Sequence, residues 1–149
     1  MPSSEAKHND WKKSFELGLK YEAMLPDYVE EGYDEYVKAP NKQFPDWDAK
    51  FRYGNEWRHY EVKADFSAHK TGNLFIEYRH TNVPSGISLT KSEYYVFFIL
   101  NGDELVDVYE IPTEILKEKC NSGRYRTATC YNSGWNNSEG YLIPIKEFF

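Results

Sequence analysis

At 149 residues with a net charge of −6, the chain has the length of one domain and lacks the overall positive charge of an indiscriminate nucleic-acid binder. Hydrophobic residues at 40% and charged residues at 28% exclude a disordered tail, and aromatics at 17% supply large rings for a core. The longest apolar run, Tyr94 to Leu100, is too short for a bilayer span of about 20 residues, and the polar opening MPSSEAKHND lacks signal-peptide character.

In chain order, Asn9 to Val29 reads as a helix capped by Asn9 or Asp10. Its apolar stripe comprises Trp11, Phe15, Gly18 and Leu25, interrupted by Glu22, and Pro26 ends its regular part. Glu30 to Glu35 reads as an acidic hinge. Gln43 to Tyr53, alternating and aromatic, predicts a strand. Gly54-Asn55 then turns the chain into a second strand, Glu56 to Phe66. Residues 67–73 (SAHKTGN) read as a loop and Leu74 to Arg79 as a third strand. Ser88 to Glu93 is a short helix or turn before the strand Tyr94 to Leu100. Asn101-Gly102 predicts a hairpin into Glu104 to Ile111, and Pro112-Thr113 opens a helix to about Lys119. From Arg124 the tail mixes turns with short strands, ending in YLIPI.

This order predicts an α/β fold: a central mixed β-sheet flanked by helices, in one domain spanning 1–149 with residues 1–9 flexible. Cys120 and Cys130 form no CxxC and are expected to be free thiols in a soluble, cytoplasmic protein with no membrane partner.

The chemistry concentrates in Pro45-Asp46-Trp47-Asp48 and Glu61-Val62-Lys63. Alternate side chains of a strand share a face, so Asp46 and Asp48 point one way on the first strand, and Glu61 and Lys63 share a face of the second. Paired across the hairpin, they bring two carboxylates and an ammonium together. Carboxylate oxygens suit Mg²⁺ (Mn²⁺ substituting), which leaves positions for water and phosphate oxygens, while the ammonium can orient water and offset phosphate charge. An acid-x-Lys triplet alone is weak, since it begins at Glu5, Asp10, Asp48 and Glu61 where random placement gives about two. The alternative is a solvated strand face with ion pairs worth under about 1 kcal/mol each. Against that, Glu61 and Lys63 sit in an apolar strand where charges are costly unless paired or metal-bound, and Glu22 could complete a three-carboxylate site. Alternation does not choose between Asp46 and Asp48; Asp48 is preferred as deeper in the strand. The segment 38–91 has nine basic and six acidic residues, whereas the rest of the chain has nine against eighteen, so an anionic substrate could meet the middle of the protein.

The ordered set Gly18-Leu19-Lys20-Tyr21-Glu22, Asp46-Trp47-Asp48 and Tyr60-Glu61-Val62-Lys63-Ala64-Asp65 resembles the PD-(D/E)XK nuclease superfamily. So do the stretches from Lys70 to Tyr78, Ser85 to Ile87, Lys91 to Tyr95 and Gly140 to Pro144. Within that superfamily, small Holliday-junction-resolvase-type and phage-encoded members are the most similar, over about residue 10 to the end. The resemblance implies a restriction-endonuclease-like fold and a Mg²⁺-dependent endonuclease acting on duplex or branched DNA as a homodimer. It implies that Asp48, Glu61 and the helix carboxylate Glu22 hold metal and that Lys63 positions water. A catalytically inactive nuclease-fold protein that binds nucleic acid or protein is the rival.

Secondary candidates are Lys70 and Asn73, beside His69, which could contact the sugar-phosphate backbone, and Lys91, near a possible helix start where amides and a cation could hold phosphate. Glu77 could be an outer partner of the metal site or an ordinary paired carboxylate near Arg79, the latter being preferred; His59 reads as structural and the aromatics mainly as core.

Overall fold

The computed structural model describes residues 16–41, 44–131 and 137–149. The first helix, α1, is described over 16–24, so Trp11, Phe15 and the candidate caps lie outside the described residues. Tyr21, Leu25 and Val29 are buried at four-residue intervals, the spacing that keeps side chains on one helical face. The regular helix stops earlier than Val29, because Pro26 has no amide to continue it and lies in a 3₁₀ turn, Leu25–Asp27.

The acidic hinge is shorter than its composition suggests. Glu35–Lys38 forms strand β1, antiparallel to β2 (Ala49–Tyr53). Tyr36 and Val37 supply strand preference too briefly to form a visible alternation. In the other direction, the strand expected from Gln43 starts only at Ala49, and Phe44–Asp48 is irregular. Asp46 and Asp48 therefore do not share a strand face.

Gly54, at φ +63°, makes the turn into β3 (Glu56–Asp65), which pairs antiparallel with β2. On its other side β3 runs parallel to β6 (Tyr94–Asn101), which turns through Gly102 into antiparallel β7 (Glu104–Pro112). The result is a mixed five-stranded sheet in the order β1-β2-β3-β6-β7.

The third predicted strand leaves this sheet. Residues 67–73 are not simply a loop, because Ala68–Thr71 forms the single helical turn α2. The Asp65 carboxylate holds that turn, accepting hydrogen bonds from the amides of Ser67 (3.0 Å) and Ala68 (2.9 Å). The chain then enters β4 (Asn73–His80), which belongs to a second sheet ordered β5-β4-β9-β8, where β5 is Val83–Pro84, β8 Thr127–Tyr131 and β9 Asn137–Pro144. Alternation reveals a strand's faces but not its neighbours, so this division was invisible in the sequence.

The central strand β6 is buried on both faces, as its unbroken apolar run requires. Val96, Phe98 and Leu100 pack with Phe51, Tyr60 and the α1 residues. Tyr95, Phe97 and Ile99 pack with Leu74, Ile76 and Ile143 of the second sheet and with Leu116 and Cys120 of α3 (Thr113–Cys120). Each buried Phe contributes about 1.5–3 kcal/mol, so β6 anchors both layers. Neither Cys120 nor Cys130 is disulfide-bonded. Among the described residues, no helix is long and apolar enough to cross a membrane.

Candidate active site

The alternation of β3 sends Trp57, His59, Glu61, Lys63 and Asp65 to one face. The parallel register sets Glu61 beside Tyr95 and Lys63 beside Phe97, so both charged residues face the layer between the two sheets. Asp48 stands where the β2–β3 ladder ends. Its amide donates to the Tyr60 carbonyl at 2.9 Å, and its Oδ2 accepts from the Val62 amide at 2.8 Å. These bonds hold its carboxylate against Glu61.

Glu61 is only 7% exposed, and its Oε1 accepts the Thr90 hydroxyl at 2.9 Å. Burial first, then the neighbouring charge of Asp48, push the Glu61 carboxyl up to about 8; Lys63 and the Thr90 hydroxyl pull it only part of the way back. Burial also works against the Lys63 ammonium. The charges of Glu61, Asp48, Glu77 and Glu22 outweigh it and hold the lysine pKa above its usual value. The floor thus combines a crowded acidic pair with a firmly charged ammonium.

Asp46 has a different job. Its carbonyl accepts the Lys91 amide at 2.8 Å and lies 3.2 Å from the Thr90 hydroxyl, which donates to the nearer Glu61, and its carboxylate lies 3.7 Å from Lys91 Nζ. It ties down the segment that delivers Thr90, while Asp48 adjoins Glu61.

A cleft of about 780 Å³ is lined by Asp48, Glu61, Lys63 and Glu77, with Phe44 and Leu89 on its apolar walls. Glu22 enters from the opposite face of the sheet. It shares a second cavity, of about 360 Å³, with Asp48 and Val62, near enough for its charge to reach Lys63. Asp48 therefore borders both spaces. Among the described residues, no group of three or more His, Cys, Asp or Glu side chains gathers closely enough to hold a metal ion. The structure offers an adjacent pair, Asp48 and Glu61, with Glu22 across the sheet and Glu77 across the cleft.

The other candidates are scattered. Lys70 is exposed on α2 and Asn73 opens β4, and neither lines the cleft. Lys91 is engaged with Asp46. His59 shares the Glu61 face and is held by Glu93, whose Oε2 accepts its backbone amide at 2.7 Å and lies 3.0 Å from its Nδ1. Glu77, preferred as an ordinary paired carboxylate over a partner of the metal site, faces the cleft and accepts the Ser85 hydroxyl at 2.9 Å. Thr90 carried no motif at all. Gly86, at φ +52°, packs so close behind Glu77 that a Cβ there would sit 2.3 Å from the Glu77 carbonyl oxygen, a juxtaposition that only the folded chain reveals.

No protein-family model and no curated protein matches the chain. Two solved structures are similar to it in chain course. One is Hjc from Archaeoglobus fulgidus, a Holliday junction resolvase from an archaeal hyperthermophile, 10% identical, with a TM-score of 0.48 over 88% of this chain and 86% of that one. The other is the bacterial homing endonuclease I-Ssp6803I, 15% identical, with a TM-score of 0.42 over 96% of this chain and 77% of that one.

Proposed function

We propose that the chain is a metal-dependent endonuclease that hydrolyses phosphodiester bonds in DNA, with Asp48 and Glu61 as the metal-holding pair and Lys63 as the water-positioning group. The observation that carries this reading is the contact of buried Glu61 with half-buried Asp48 on the floor of an open cleft. Two such groups repel and lose hydration, and the raised Glu61 pKa means that Lys63 only partly compensates them. A hard divalent cation relieves that strain, and Mg²⁺ is commonly held by one or two carboxylates plus substrate phosphates. Such an ion, Mg²⁺ or Mn²⁺, would supply an activated water and offset charge on the phosphate.

The remaining work belongs to the chain. Thr90 fixes the orientation of Glu61. Lys63, kept charged, orients a water and stabilises the oxyanion charge that develops on phosphorus-bound oxygens. Glu22, which shares the second cavity with Asp48, would assist in holding the metal. We extend the proposal to branched DNA and a homodimer, so that two strands are cut by two sites.

A second reading has its own support, because the Asp48–Val62 and Glu61–Thr90 hydrogen bonds also serve the fold. In that reading the chain is an inactive nucleic-acid- or protein-binding module. Cleavage of single-stranded, duplex and branched DNA with Mg²⁺ or Mn²⁺, compared with Lys63→Ala, separates the two. The nuclease reading expects cutting that falls by about 10²-fold or more in the variant. If both proteins are folded and equally inert, the binding module replaces it.

A further inference from the structure

Rings as large as Trp ordinarily enter the core, yet Phe44, Trp47 and Trp57 belong to neither core cluster. They form a row instead. Phe44, on the wall of the cleft, meets Trp47 edge-on at 5.0 Å between centroids, and Trp47 lies 5.7 Å from the His59 ring. The Lys50 ammonium stands over both indoles, 5.3 Å from Trp47 and 4.4 Å from Trp57. The β2–β3 register sets Lys50 opposite His59 and Arg52 opposite Trp57, so these side chains share the face that carries Glu61 and Lys63. Arg52 and His59 have acidic partners in Glu35 and Glu93. Among the described residues no carboxylate pairs with Lys50, whose charge rests on ring faces alone.

Half-buried indoles interleaved with cations, continuous with a cleft, suit a chain of π-faces on an anionic backbone. We infer that the Phe44–Trp47–Trp57 row with Lys50 and Arg52 is a stacking track for an unpaired DNA strand that leads into the cleft. The track deepens the nuclease proposal, since it rests on nucleic acid being what the cleft receives. It assigns a single-stranded flank, because only unpaired bases can splay onto the rings. Duplex bases keep their faces stacked on one another, so a duplex would use the cations without the indoles.

The test is binding in EDTA by the full chain carrying Lys63→Ala, followed by fluorescence anisotropy of a labelled oligothymidylate and of a blunt duplex of equal length. Trp57→Ala is expected to weaken oligothymidylate binding roughly tenfold and to leave duplex binding unchanged, with Trp57→Phe retaining most of the affinity. Lys50→Gln is expected to reduce the slope of log K against log salt by about 0.7. Equal loss on both probes after Trp57→Ala, or no change after both Trp57→Ala and Lys50→Gln, overturns the track. Should Trp57→Ala lose its fold by circular dichroism, Lys50→Gln decides the matter: an unaltered salt slope for oligothymidylate binding refutes the track. Metal-free binding separates the two claims: if the variants bind in this pattern but wild type never cuts with Mg²⁺ or Mn²⁺, the track stands and the nuclease falls.

Discussion

Replacing Glu61 with Gln isolates the electrostatic strain on the cleft floor. Glutamine keeps the shape of the side chain and an oxygen to accept from Thr90, and removes the charge. In the folded protein the Glu61 carboxyl is held up to about 8 against a reference of 4.5, by burial and then by Asp48. Between these pH values the folded state keeps the proton and the unfolded state has lost it. Stability accordingly falls as pH rises through that window and is level above it. At 1.36 kcal/mol per unit, the loss for so buried a group is on the order of 3–5 kcal/mol, which the Gln variant does not suffer. For a domain of this size that is on the order of 10 °C in Tm. Thermal melts in EDTA should show wild type and Glu61→Gln close together near about pH 5, with the variant progressively more stable up to about pH 9. Excess Mg²⁺ near about pH 8 should then raise wild type alone, because a ligand stabilises only the state that binds it. Parallel Tm–pH curves for the two proteins would refute the strained pair.

Two further outcomes follow from the packing. Gly86→Ala should lower stability by about 2–4 kcal/mol in urea titration, and by more than Gly102→Ala, which has a similar φ of +62° but no atom within 4 Å of the added Cβ; equal losses would show that the Glu77 contact is unimportant. With Ellman's reagent the native protein should present one reactive thiol, the exposed Cys130. Cys120, buried and with its thiol pushed up to about 11 by that burial, should react only on unfolding, and two equally fast native thiols would contradict this.

Much of the architecture was legible where a pattern exceeded one local feature. β3 and β6 carry long alternating or unbroken apolar runs, Gly54 and Gly102 mark their turns, and Pro112 marks the start of α3. β1 was hidden because four residues, two of them charged, hold too little pattern to outweigh the acidic stretch before them. The loss of β4 to another sheet depends on a single helical turn after Asp65, which composition reads as loop. At the site, Glu61 and Lys63 stood out as charges in an apolar strand, and Asp48 as an acid one hairpin away. Glu77 and Thr90 arrive from a different sheet and from an irregular segment, so only tertiary folding brings them in. Glu22 broke its stripe visibly, yet the sequence could not tell which side of the sheet it approaches.

Because β3 borrows its second neighbour from far along the chain, the hairpin and the enclosure around its acids are separable acquisitions. The turn at Gly54 brings Asp48 to Glu61 within a short stretch of polypeptide. The burial that dominates the Glu61 shift comes from elsewhere, from β6 alongside and from Thr90. The weakened acidity of Glu61 thus depends on long-range closure, and it reports, from one atom group, whether the two halves of the central sheet have met.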